Sequence, residues 1–121
     1  MPNRSGSAGP DASIEQVFKA LADPTRREVI ERLGRAPAST SELAAGFGMA
    51  LPSFQQHLRV LESCGLVSSH KQGRVRTYRL RPAPLERAAG WLDQQRRRWE
   101  RRLDQLDDHL AAMRDADDKE P

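Results

Sequence analysis

Within seven residues the chain places Ser53, Gln55, Gln56, His57 and Arg59, followed some fifteen residues later by Arg74 and Arg76. These side chains suit recognition better than catalysis. Glutamine pairs in bidentate fashion with adenine, arginine with guanine, and serine bonds either a base edge or a phosphate. His57 stands at the edge of an apolar stripe, where contact with a phosphate or base and a hydrogen bond inside the core are both open. No Ser-His-Asp order, glycine-rich phosphate loop or pair of catalytic carboxylates stands out, so the residues point away from an enzyme.

The helix that must carry the first group runs from about Leu51 to Cys64. With Phe54 at the centre of its buried face, Leu51, Leu58 and Leu61 join it at helical spacing. The opposite face then presents Pro52, Gln56, Arg59 and Ser63, with Ser53 and Gln55 on its flanks. A polar face of this kind is usually only solvated. Its neighbours decide otherwise. Ser39 and Glu42 form a capping box that opens a short helix, 40–47, with Thr40 at its start and Gly48 at its end. A short helix, a tight turn at Met49-Ala50 and a second helix make a helix-turn-helix.

Two earlier helices supply the packing partner. Ser13 and Gln16 cap the first, which offers Ile14, Val17, Phe18 and Leu21 to the core. Asp23 caps the second, whose first turn accepts Pro24 and which ends at Gly34. After Gly65, two extended stretches, 66–71 and 74–80, join through Gln72-Gly73 as a hairpin rich in His70, Lys71, Arg74 and Arg76. Such a basic hairpin is either a wing that reaches phosphates or the minor groove, or an edge strand kept soluble by charge. Following a helix-turn-helix, it reads as a wing. The chain is therefore expected to be mainly α, a winged helix-turn-helix.

Pro82 and Pro84 close the hairpin, and one long helix is predicted from about Leu85 to Met113, roughly 40 Å at the standard rise. Leu85, Leu92, Trp99, Leu106 and Met113 recur every seven residues, while Ala89, Leu103 and Leu110 complete an a/d seam. Arg96 interrupts that seam, to set register or to snorkel. The competing reading is a long amphipathic helix packed on its own core. A seam this long exceeds what the small body can cover, so a second copy is expected along Leu92, Trp99, Leu103, Leu106 and Leu110.

Composition agrees with a polyanionic partner. Lys+Arg number 20 against Asp+Glu 17, a net charge of +3, and the acids crowd the C-terminal end, leaving the remainder clearly basic. Aromatics at 5% argue against a base-stacking single-strand binder. One cysteine excludes an internal disulfide and a Cys-only zinc site. Cys64 itself reads as a buried structural thiol, the alternative being a redox switch. The organisation expected is a disordered arm at 1–12, the winged domain at 13–82, a dimerisation helix at 83–114 and a disordered acidic tail at 115–121. With no signal peptide and no membrane span, the reading is a soluble cytoplasmic protein.

At this point the sequence resembles the ArsR/SmtB-type winged-helix repressors over about residues 14–110. The likeness rests on FKALADPTRREVIERL, SELAAGFGMALPSFQQHLRVLESCGLV and KQGRVRTYRL. The middle segment is the specific one. It implies a homodimer joined through terminal helices, repressing transcription from a palindromic operator in double-stranded DNA until an inducer releases it. It also implies DNA contacts by Ser53, Gln55, Gln56, His57 and Arg59, with Thr40 nearby and Arg74 and Arg76 serving the wing. Two departures matter. Many members carry Ser where this chain has Ala50, so the recognition helix lacks that side-chain cap. The metal-sensing branch places a Cys-x-Cys-type pair on the third helix, where this chain has Glu42-Leu43-Ala44-Ala45-Gly46. Asp107 and His109 give half of another known site without its partners, so no metal and no cofactor are expected. The reading from another class is a protein-interaction module that dimerises through the long helix and keeps a vestigial winged helix.

Overall fold

Each of the first helices starts on a side chain that satisfies its own orphan backbone donors. In the computed structural model, which describes residues 13–119, α1 (Ile14–Leu21) opens on a complete Ser13–Gln16 capping box. Helix α2 (Pro24–Leu33) opens on Asp23, whose carboxylate accepts the Arg26 N–H at 3.0 Å. That hydrogen bond holds the Asp23 carboxyl below its ordinary range. The Ser39–Glu42 box opens α3 (Thr40–Ala44) with bonds of 3.1 and 2.8 Å. Helix α4 (Leu51–Ser63) has no side-chain cap at Ala50. It ends as a Schellman motif, with Leu66 N–H bonded to Leu61 and Gly65 N–H to Glu62, both at 3.0 Å, around Gly65 at φ 79°.

The sheet is larger than the hairpin expected. Strands β2 (Val67–Gln72) and β3 (Val75–Leu80) pair antiparallel, and a two-residue strand β1 (Ala38–Ser39) pairs with the other edge of β3, giving the order β1-β3-β2. The Pro/Ala/Ser stretch before α3 reads as loop because a two-residue ladder is too short to show alternation. The hairpin turn also shifts by one residue. Gln72 faces Val75, so Gly73-Arg74 form the connection, with Gly73 at φ 63°. That is the glycine position of a type II′ turn. A Gly73→Ala chain should lose about 1 kcal/mol, lowering the melting midpoint by roughly 4–8 °C in a thermal scan. An unchanged midpoint would show that the turn tolerates a side chain.

Phe54, Leu58 and Leu61 of α4 are fully buried and pack with Val17, Val29, Leu66 and Val67. Leu51, expected in that stripe, is instead 48% exposed. It lies on the first turn, ahead of the elements that cover Phe54. Helix α3 stops at Ala44 rather than continuing to Phe47, because Phe47 turns back onto Phe54 with ring centroids 5.0 Å apart.

Helix α5 (Pro82–Lys119) begins earlier and ends later than the sequence suggests. Pro82 and Pro84 sit inside its first turn, where a missing N–H costs nothing, so they open the helix as well as following the hairpin. Pro84 and Ala88 are buried. The expected disordered tail at 115–121 is helical as far as Lys119. No glycine or proline interrupts the chain between Gly90 and Pro121, and Ala, Met and Arg favour the helix there. The expected arm at 1–12 lies outside the described residues. The chain divides at Ala88 into two units, the winged domain and the remainder of α5. In that second unit Leu92, Trp99, Leu103, Leu106, Leu110 and Met113 are all about half exposed or more. Arg96 bonds Asp93 at 2.5 Å and lies 3.6 Å from Glu100, so it snorkels to acids of its own helix. Among the described residues, no helix is long and apolar enough to cross a membrane.

Candidate nucleic-acid interface

One groove gathers the polar flank of α4, the start of α3 and the hairpin. Thr40, Gln55, Arg59, Lys71, Arg74 and Arg76 line it, with Leu51, Glu62, Val75 and Tyr78 between them. Burying Phe54 fixes the rotation of α4 and so points Gln55 and Arg59 toward the hairpin. Strand parity does the same for β3, where Arg76, Tyr78 and Leu80 share a face. Tyr78 and Leu80 press that face inward, and Arg76, nearer the tip, reaches the groove.

The groove is preset by hydrogen bonds. The Arg59 guanidinium donates to Gln56 Oε1 at 2.6 Å, which ties the exposed Gln56 to the groove's edge. Arg76 donates to Ser69 Oγ at 2.8 Å, and Ser69 Oγ donates to Glu62 Oε2 at 2.8 Å. Thr40 hydrogen-bonds Tyr78, whose hydroxyl is pushed above its ordinary value by burial and by the Glu62 charge. Lys71 stands directly opposite Arg76 in the ladder. Like charges so placed destabilise a hairpin, and an anion between them would relieve that cost.

Three of the residues named from sequence lie outside that lining: Gln56, which reaches its edge only through Arg59, and Ser53 and His57. Ser53 is exposed but is not part of the groove's lining. His57 faces α2, with Nδ1 3.2 Å from the Arg26 guanidinium and 3.6 Å from the Asp23 carboxylate. Arg26 also donates to the Ala20 and Lys19 carbonyls at 2.6 and 3.1 Å, so it pins α1, α2 and α4 together. Of the two readings open for His57, the structure favours the internal hydrogen bond. Glu62 and Leu51 are groove residues that sequence reasoning missed. The signal for Glu62 was its spacing, seven after Gln55 and three after Arg59 on one side of α4.

Cys64 is buried and its Sγ donates to the Leu61 carbonyl at 3.4 Å. Burial pushes the thiol above its ordinary value, disfavouring the reactive thiolate. Among the described residues no three His, Cys, Asp or Glu side chains gather where they could hold a metal ion.

A recognition helix set beside a basic hairpin defines a winged helix-turn-helix DNA-binding protein. Known proteins agree with the geometry. Residues 21–70 match a family model described as a helix-turn-helix domain. The chain is 38% identical over 91 residues to the HTH-type transcriptional regulator Rv2034 of Mycobacterium tuberculosis, covering 75% of this chain and 82% of that one. It is 30% identical over 79 residues to the transcriptional repressor SdpR of Bacillus subtilis, covering 65% and 88%. The crystal structure of an ArsR family transcriptional regulator superposes with a TM-score of 0.70 at 50% identity, covering 72% of this chain and 96% of that one. The chain belongs to the ArsR family of winged helix-turn-helix transcriptional regulators.

Proposed function

We propose that the chain is a homodimeric, non-enzymatic repressor that binds a palindromic operator in double-stranded DNA. The groove shared by α4 and the hairpin carries this reading, because it brings base-reading and phosphate-binding side chains to one surface. Helix α4 enters the major groove with Gln55, Gln56 and Arg59 toward the base edges and Ser53 at its outer flank. Thr40 approaches the backbone from the start of α3. Arg74 and Arg76 take the wing to phosphates or the minor groove, and Lys71 joins them. His57 is left out of the contacts; held by Arg26, it seats α4 on α2. Two copies join along the α5 seam of Leu92, Trp99, Leu103, Leu106 and Leu110, and the assembly works in the cytoplasm.

Arg74 tests the reading. At the hairpin tip it lies away from the major-groove base edges, so Arg74→Ala should weaken binding to every duplex alike. The slope of log affinity against log salt should flatten by about one. Anisotropy titrations between 50 and 200 mM salt measure both quantities. Wild-type binding that ignores salt would contradict the phosphate-binding groove.

A further inference from the structure

We propose that Glu62, acting through Ser69, is a positioning residue for the wing arginine Arg76, so that recognition helix and wing meet DNA as one preset unit. The inference rests on the DNA-binding reading above and concerns the same groove. Its basis is the hydrogen-bonded chain Arg76–Ser69–Glu62, with both links at 2.8 Å. The direction of each link is fixed by chemistry. A guanidinium only donates and a carboxylate only accepts, so the single Ser69 proton goes to Glu62 and its lone pair receives Arg76. A charged group stands at each end, which makes both bonds stronger than neutral ones.

The chain adds a polar tie on the outer side of two elements whose buried faces already pack together. Glu62 lies on the last turn of α4, while Ser69 and Arg76 lie on the two hairpin strands, with Ser69 opposite Tyr78 and Lys71 opposite Arg76. An exposed arginine otherwise samples many rotamers, and ordering it at the moment of binding weakens affinity. Holding one Nη on Ser69 orders the side chain beforehand and leaves its other donors for a phosphate. A carboxylate inside an anion-binding groove would otherwise be an unfavourable choice, since it repels the ligand. Its role in orienting Arg76 accounts for its presence there.

A double-mutant cycle on the full chain tests this, using a duplex enriched by the wild-type protein from a random pool. Ser69→Ala should weaken binding about 3–10-fold when Arg76 is present and less than about twofold in the Arg76→Ala background. Ser69→Thr keeps the hydroxyl and should stay within about twofold of wild type. Glu62→Ala also removes a negative charge, but the ratio of its effects in the two backgrounds should match that of Ser69→Ala. Equal losses from Ser69→Ala in both backgrounds would overturn the inference, since a merely structural serine acts regardless of Arg76. A threonine variant as weak as the alanine one would overturn it too. If the wild-type chain enriches no duplex at all, the DNA-binding reading falls first, and this inference with it.

Discussion

A chain carrying Leu103→Asp and Leu106→Asp should be a monomer, with its winged domain intact and its hold on operator DNA reduced by two orders of magnitude or more. Both leucines are about half exposed on α5 and lie outside the core, so the substitutions remove nothing that the winged domain packs upon. In a paired seam each leucine would lose its remaining exposure, a gain of about 1 kcal/mol per side chain, or roughly half that of full burial. Replacing them with carboxylates forfeits that gain and adds four charges at the centre of a low-dielectric interface, each costing several kcal/mol. The dimer constant should therefore weaken by about a thousandfold or more. DNA binding follows, because joined half-site readers bind with an effective concentration that separate ones lack. Light scattering gives the mass, and circular dichroism confirms that helix is retained. A double variant that stays dimeric would refute the seam.

The second large effect concerns discrimination. Gln56→Ala should reduce preference for the operator over a scrambled duplex by about 1–3 kcal/mol, with little change on the scrambled duplex. Gln56 and Arg59 are bonded to each other in the free protein, so their losses should be non-additive. Removing Gln56 also releases the arginine whose direction it sets. Arg59→Ala alone should cost a comparable amount, and the double variant less than the sum. Equal losses on both duplexes would mean that Gln56 contacts backbone rather than bases.

How much of this was legible in the sequence depended on the range of the interaction. Ser13, Asp23, Ser39 and Gly65 were readable because a cap is satisfied within three or four residues of its own position. The core face of α4 was readable from the period of Phe54, Leu58 and Leu61, though Leu51 shows that the period alone does not say where cover ends. Strand β1 was not readable, since its partner among the described residues, β3, lies some forty residues away. The same holds for His57, whose environment is set by Arg26 on another helix. The acidic composition of 115–121 points to disorder, whereas the absence of a helix breaker lets α5 run on to Lys119.

The groove residues divide along the same line. Gln55, Arg59, Arg74 and Arg76 could be named from type and periodicity. The spacing of Glu62 puts it on the same side of α4, but its tie to the wing could not be read there, because that runs through Ser69 and Arg76 across the hairpin. The helix from Leu51 to Ser63 thus presents Gln55, Arg59 and Glu62 to the groove, while the partly buried His57 turns toward α2.

Selection of bound duplexes from a random pool by the full chain, followed by sequencing, tests the central proposal most directly. The expected result is a single enriched palindrome, with half-sites about 10–10.5 base pairs apart or a multiple of that, lost in the Leu103→Asp/Leu106→Asp chain. A pool that remains random after repeated rounds with the wild-type chain would contradict sequence-specific operator binding.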